Sequence, residues 1–574
     1  MKRRTHFFIL IHTLLAFSAM FFTSMKMPLS LNVMIIHPLL VCAVYTSFLY
    51  ILPSRLKIFG VTSLTIFLCF LYFTNIVAIQ YWNEHISWSF LLINQDVIVE
   101  ELKKFPVYFV PVIFVLVYLI YITYRFLLAA IVPKTKDFGL LLITPLLGVG
   151  FAYASWSISE DMDVIWQGEP FYEFLHTKVP SAQIQQKIVT SPSRNIAAST
   201  ASTPPNIILI HGDALRADRL GAYGNSRNTS PFIDGIINAG AVKIPFGISN
   251  CSESICGFAS VLTSSFSFDA APTGLFEILS RQGYVNNFIG AGSLYHAGLD
   301  RYIRPKVDNF LRADLDATYY MHDDRYVLDV LDEYPEYLGV PNLFYLRMMS
   351  SHGLGSHQQK YKNFAPTRDS LLFMLGGESQ RQASINDHDN RASQFDAYVE
   401  TIFSSLEKKG YLDNAIVVIF GDHGDAIGER GTYGHYQSLY QEEVHVPLIF
   451  WSSSNIEMNI DPQFFATLMD IPATLLHQLK QPVPAFFMGS PLQQARAGKV
   501  GFLDSRKDTI GLVYQDADQL LKLIIGRKDL AQAQLYDLRN DPGETTNLYH
   551  LQPELAAMMT KERRSVIEKP SQNQ

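Results

Sequence analysis

Hydrophobic and polar positions divide this chain into two unlike parts. The first carries five apolar runs long enough to cross a hydrocarbon core, at residues 6–24, 30–52, 58–79, 106–130 and 138–157, since a spanning helix needs roughly 20 residues. From Asn206 onward the pattern changes to short apolar runs, "NIILIHGD", "YVNNFIGAG", "NLFYLRMMSSHG" and "AIVVIFGDHGD", separated by longer helical patterns. These runs predict buried strands of a mainly parallel sheet with helices on both faces, and such sheets gather ligands at the carboxyl ends of their strands. Between the two parts, residues 158–204 read as a juxtamembrane segment followed by a linker rich in Ser, Thr, Pro and Ala, "VTSPSRNIAASTASTPP". The expected domains are therefore 1–157 with five transmembrane helices, 158–204 as connector, 205–550 as an α/β catalytic domain, and 551–574 as a tail.

Charge placement orients the spans. "MKRR" precedes the first, Arg55 and Lys57 lie between the second and third, and Arg125, Lys134 and Lys136 separate the last two. Short loops rich in Lys and Arg stay cytoplasmic, so the residues after about Trp156 are expected outside the cytoplasm. A cleaved signal peptide is the competing reading of residues 1–25, but "FSAMFFTSM" offers no good small-x-small cleavage site. The catalytic domain faces outward on either reading. The net charge of −7 argues only against a nucleic-acid binder. Cys42 and Cys69 fall inside expected spans as packing residues, whereas an outward Cys251 and Cys256 are free to form a disulfide.

Three of the expected strands end in residues fit for metal chemistry. The first delivers Asp213, the third His352, and the fourth Asp422, His423 and, further on, His435. Two carboxylates, an imidazole and a hydroxyl would serve zinc or a hard divalent ion. The hydroxyl is sought in "NCSESICGFASVLTS", where Ser252 and Ser254 lie between Cys251 and Cys256 at the start of a helical pattern. Each residue has a plainer reading: a lone strand-end Asp213 caps a helix, "DHG" is a turn, and His352 and His435 are polar surface. Their shared position at one end of several strands favours a site.

Three blocks resemble the sulfatase family of the alkaline phosphatase superfamily. They are "NIILIHGDALRADRLGAYGNSRNTSPFIDGIINAG", "VVIFGDHGDAIGERGTYGHYQSLYQEEVHVPLIFW" and "LLKLIIGRKDLAQAQLYDLRNDPGETTNL", within residues 205–550. The resemblance implies that Asp213, Asp422 and His423 bind metal together with the nucleophile, and that His352 and His435 hold the substrate's charged group or serve the leaving group. Arg216 matches a recurring basic position, with pairing to a neighbouring acid as the alternative. Position 214 is Ala where true sulfatases usually carry a second Asp, which implies one carboxylate fewer than a calcium-type site.

Aligning "ASVLTS" with the family's usual A-S-L-L-T-G puts Ser254 at the formylglycine position. The conversion signal requires Pro or Ala two residues on and Arg four residues on, but this chain has Cys256 and Phe258. The nucleophile is therefore expected to be the Ser254 oxygen itself, activated by a metal or a base, with Ser252 as the alternative. An unmodified hydroxyl and five spans are similar to the membrane-anchored phosphoethanolamine and phosphoglycerol transferases, although those usually carry G-E-T-A-R-A and Thr where this chain has "GDALRA" and Ser254. The expected reaction moves a phospho-headgroup from a membrane phospholipid to a glycan or glycolipid of the cell envelope. The expected metal is zinc, with calcium or manganese as alternatives, and the expected location is the bacterial inner membrane with a periplasmic catalytic domain. A sulfate or phosphate ester hydrolase and a non-catalytic envelope-lipid sensor are the rival readings.

Overall fold

In a computed structural model of the chain, the described residues are Thr190 and 203–567, apart from 269–272, 293, 295–298, 317, 368–380, 495–498, 505–508 and 527–531. The five expected spans and nearly all of the linker lie outside them. Among the described residues no helix is long and apolar enough to cross a membrane.

The Ile- and Val-rich run after the linker forms β1 (Asn206–Gly212), buried along its whole length. In chain order there follow α1 (Pro231–Asn238), β2 (Val242–Lys243), β3 (Gly247–Ile248), α2 (Ser254–Thr263), α3 (Leu275–Arg281), β4 (Val285–Gly290), α4 (Asp300–Ile303), β5 (Asn309–Arg312), α5 (Arg325–Glu333), β6 (Asn342–Met348), α6 (Arg381–Lys408) and β7 (Ala415–Gly421). Beyond them lie β8 (Ala426–Ile427), β9 (Tyr433–Gly434), α7 (Gln441–Val444), β10 (Leu448–Ser452), β11 (Ala466–Thr467), α8 (Asp470–Gln478), β12 (Lys499–Asp504), β13 (Thr509–Gln515), β14 (Leu520–Gly526), β15 (Gln534–Asp537) and α9 (Pro553–Ile567).

Seven strands form the main sheet in the order β2-β10-β7-β1-β6-β4-β5. The four strands expected from the apolar runs are its parallel centre, with β1 between β6 and β7. Strand β10 runs antiparallel against β7. Alternate side chains of β1 feed two cores. Ile207 and Leu209 pack with Phe258 and Leu262 of α2, Phe276 of α3 and Leu475 of α8, while Ile208 and Ile210 pack with Val327 and Leu331 of α5 and Phe395, Val399 and Ile402 of α6. This is the period-two consequence of a strand buried on both faces. From α6, the Asp396 carboxylate accepts the Phe232 and Ile233 backbone N–H groups in the first turn of α1, at 3.0 and 2.8 Å, which satisfies donors that a helix start leaves open.

A second, antiparallel sheet runs β12-β13-β14-β15. Inside the segment expected as a tail, α9 packs on β13 and β14, with Met559 fully buried.

Register positions the site. Gly212 of β1 pairs with Met348 of β6 and Gly421 of β7. The next residues on each chain, Asp213, Met349 and Asp422, therefore leave the sheet at one level.

Candidate active site

Helix α2 brings Ser254 to that level. Ser254 is the first helical residue, and Glu253 before it is extended. The Cys251–Cys256 disulfide closes the loop from which the helix starts, with the two Cα atoms 6.1 Å apart. Close approach to β7 depends on Gly257, where a Cβ would lie 2.7 Å from the Asp422 Cβ. The loop is tied again at Ser252, whose carbonyl accepts the Tyr436 N–H at 2.8 Å.

Four of the expected residues converge. His423 Nε2 lies 3.2 Å from Ser254 Oγ, 3.6 Å from Asp422 Oδ2 and 3.8 Å from Asp213 Oδ1. His423 Nδ1 lies 2.9 Å from the Gly424 carbonyl, which must accept, so Nδ1 carries the proton and Nε2 presents its lone pair to the cluster. Asp422 is aimed by its other oxygen, Oδ1, which accepts the Ala214 and His423 N–H groups at 3.1 and 2.9 Å. Asp213 Oδ1 and Asp422 Oδ2 are buried and accept no hydrogen bond. Burial and mutual repulsion push the Asp213 carboxyl up, but Arg347, His352 and His423 outweigh them and hold it below its ordinary value. Burial likewise opposes ionisation of Asp422, and His423, His211 and the Ala214 N–H outweigh it.

The cluster passes a test of fit for a small cation. Tetrahedral bonds of about 2.0–2.2 Å separate ligand atoms by roughly 3.3–3.6 Å, close to the three distances around His423 Nε2. Two orphaned carboxylate oxygens, a lone-pair nitrogen and a hydroxyl are the donor types that zinc accepts.

His211, not singled out in the sequence, joins this group: its ring nitrogen and the carboxylates of Asp213 and Asp422 lie within 4.8 Å of one another. His211 Nε2 is 3.2 Å from Asp422 Oδ2 without the alignment of a good hydrogen bond. Its ring is fully buried, stacked on Phe420 and edge-on to Phe258 and Tyr345.

The remaining expected residues form the rim. The rings of His435 and His423 are 4.2 Å apart, and those of His352 and His435 5.6 Å. His352 Nδ1 accepts the Leu354 N–H at 3.0 Å, which leaves the proton of a neutral ring on Nε2. Burial pushes His352 down to about 4. His435 moves the other way: burial opposes its charge, yet the Asp425 carboxylate, 2.9 Å from Nδ1, raises it to about 9. Asp425 also lies 3.7 Å from His388 of α6. Arg216 is nearly buried and pairs with Asp218 and Glu429 at 2.8 and 2.9 Å, while donating to the Asp425 carbonyl at 2.8 Å. Its charge is thus spent on acids, and it braces the loop that holds His435.

The sulfatase family profile matches residues 205–481. Phosphoethanolamine transferase EptA of Salmonella typhimurium is 25% identical over 271 residues, covering 44% of this chain and 47% of that protein. Arylsulfatase K of Bos taurus is 26% identical over 195 residues, covering 31% of this chain and 35% of that one. The chain thus spans about half or less of the length of these curated relatives. Among solved structures, BT4656 in complex with its substrate D-glucosamine-2-N,6-O-disulfate superposes with a TM-score of 0.51 at 15% identity, covering 65% of this chain and 100% of that one. At that identity the likeness is one of fold. Residues 205–481 of this chain are a sulfatase-family domain.

Proposed function

We propose that the chain transfers a phospho-headgroup, phosphoethanolamine or phosphoglycerol, from a membrane phospholipid to a glycan or glycolipid of the cell envelope, with Ser254 as nucleophile. The observation that carries this reading is the 3.2 Å contact of Ser254 Oγ with His423 Nε2, made by a serine whose neighbours are committed elsewhere. Cys256, at the second position after Ser254, is in the disulfide. Phe258, at the fourth, is fully buried in the core. Neither is the residue that the signal for conversion to formylglycine requires there, Pro or Ala at the second position and Arg at the fourth, so the hydroxyl itself is the reacting group.

Asp213, Asp422, His423 and Ser254 would hold the metal, zinc by donor type, with calcium or manganese as alternatives. When bound, a divalent ion supplies positive charge that lowers the pKa of a hydroxyl and offsets that of phosphoryl oxygens. The chain's own residues do the rest. In the first step the Ser254 hydroxyl gives its proton to solvent and its oxygen forms a bond to phosphorus as the bond to the lipid glycerol oxygen breaks. Protonated His435, held by Asp425, donates to that leaving oxygen. The start of α2, with backbone N–H groups ahead of Gly257 outside the helical ladder, favours the phosphoryl charge. His352 contributes an Nε2–H donor. In the second step an acceptor hydroxyl attacks phosphorus, its proton returns to His435, and the Ser254 oxygen leaves and recovers a proton from solvent. A disulfide beside the nucleophile supports an oxidising, extracytoplasmic location, in keeping with a periplasmic domain anchored in the inner membrane.

The arylsulfatase relative supports a second reading, an ester hydrolase in which water replaces the acceptor. Full-length protein incubated with headgroup-labelled phospholipid separates the two. Transfer requires label on Ser254 by intact and peptide mass and onward movement only when glycolipid is added. Label released to water at the same rate without glycolipid would leave the hydrolase.

A further inference from the structure

Arg347 lies on β6, beside His211 of β1 on one side and Gly290 of β4 on the other. It is a cation inside an apolar strand, almost wholly buried, and burying an arginine without a partner is costly. Its partner is Asp213: Arg347 Nη2 donates to Oδ2 at 2.6 Å. The guanidinium also lies over the Phe258 ring, 5.5 Å from its centroid. Room for it is made at the end of β4. Gly292, with φ +86°, would place a Cβ 2.5 Å from Arg347 Nη1.

The ion pair removes Asp213 Oδ2 from the cluster and leaves Oδ1 facing His423. Position 214, where a calcium-type site would carry another carboxylate, is Ala214, whose N–H is given to Asp422. Two carboxylates and one guanidinium leave the cluster a formal −1. The donors that remain are Asp213 Oδ1, Asp422 Oδ2, Ser254 Oγ and His423 Nε2, with His211 Nε2 beside them, 3.2 Å from Asp422 Oδ2. Calcium takes about 6–8 oxygens at 2.3–2.6 Å, whereas zinc is satisfied by four mixed donors.

We propose that Arg347 is a positioning residue that sets metal selectivity: by holding Asp213 Oδ2 it limits Asp213 to one ligand oxygen and restricts the site to a small, four-coordinate ion. The inference rests on the reading of Asp213 as a metal ligand. Removing the guanidinium frees Oδ2 and makes the cluster formally −2. Outer partners of metal ligands typically contribute 10–100-fold in affinity, so Arg347→Gln should weaken zinc by about tenfold and strengthen calcium. Arg347→Lys, which keeps the charge but loses the planar fork, should fall between.

The test measures zinc and calcium affinities of metal-stripped full-length protein by competition with a chromophoric chelator, with metal content by mass spectrometry. Wild type should hold one zinc per chain against a large excess of calcium. A wild type that binds calcium as tightly as zinc overturns the inference whatever the variants do. So does a folded Arg347→Gln protein with an unchanged calcium-to-zinc ratio. Asp213→Asn separates the two levels of argument. If it keeps full zinc affinity, the reading of Asp213 as a ligand fails. If it loses zinc while Arg347→Gln leaves selectivity unchanged, only the role of Arg347 fails.

Discussion

His423 is held between two oxygens, with Nδ1 donating to the Gly424 carbonyl at 2.9 Å and Nε2 3.2 Å from Ser254 Oγ. The backbone contact fixes the tautomer, so the nucleophile meets a lone pair and not a competing proton. Ser254→Ala should therefore reduce headgroup transfer by about three orders of magnitude or more, the scale on which removal of an enzyme nucleophile is felt, without loss of fold. Ser252→Ala should stay within a few-fold of wild type, because Ser252 is buried and engages the His435 loop through its carbonyl. Comparable losses in the two variants would remove Ser254 from its assigned role.

The disulfide should matter more for placement than for global stability. It closes a loop with a sequence separation of 5, and a chain-entropy estimate for so short a loop is about 2 kcal/mol. The double variant Cys251→Ser, Cys256→Ser should lose roughly that much stability in denaturant titrations. Its kcat should fall further than its KM rises, since the start of α2 would no longer hold Ser254 against His423. A variant with unchanged kcat would show that the helix alone positions the nucleophile.

Much of this site could be read along the chain because strands carry it. Asp213, Asp422 and His423 follow directly on apolar runs, and parallel register brings the ends of those runs to one level. His211 and Arg347 were hidden by the same runs, where one polar residue among Ile, Leu and Phe reads as an interruption and not as a ligand's partner. The signal was available in their burial, since a strand hydrophobic on both faces has no solvent side for an imidazole or guanidinium. His388 could not be found locally. It sits in a 28-residue helix, and only packing of α6 on the sheet brings it to Asp425. Strand β10 lies within the stretch that resembles the family, and its antiparallel pairing with β7 follows from a short return that hydrophobic period does not encode.

Gly257 offers a steric test of the distance between α2 and β7. An added methyl would sit 2.7 Å from the Asp422 Cβ and 3.1 Å from its carbonyl oxygen, so Gly257→Ala must push the helix away from the strand. Overpacking of this kind costs about 1–3 kcal/mol. The effect on transfer should be larger, because the same shift separates Ser254 from the Asp422 carboxylate. Thermal unfolding and turnover measured together should show modest destabilisation with at least a tenfold loss of kcat, on the scale of a small misplacement at a reacting centre. Equal preservation of both would mean that α2 is not seated by this contact.

A pH test is available away from the carboxylates of Asp213 and Asp422. Asp324 is buried, and its two carboxylate oxygens accept the Met349 and Ser350 N–H groups, each at 2.6 Å, on the segment leading to His352. Burial dominates and raises its pKa from 3.8 to about 7, against the pull of those bonds. A carboxyl with a raised folded value favours the folded state fully below its unfolded value and loses that contribution as pH rises through the folded one. The window is therefore from about pH 4 to about pH 7. The total stability curve does not isolate this group, because burial lowers His352 to about 4 and His357 to about 3, and also lowers His388 and His445. Those imidazoles act in the opposite sense, adding stability as pH rises towards their unfolded values. Comparison with Asp324→Asn isolates Asp324, since the amide does not ionise. The stability advantage of wild type over the variant should shrink between pH 4 and 7 in parallel denaturant titrations. A difference that is flat or grows across that window would show that Asp324 stays ionised in the folded protein, stabilised by its two backbone donors.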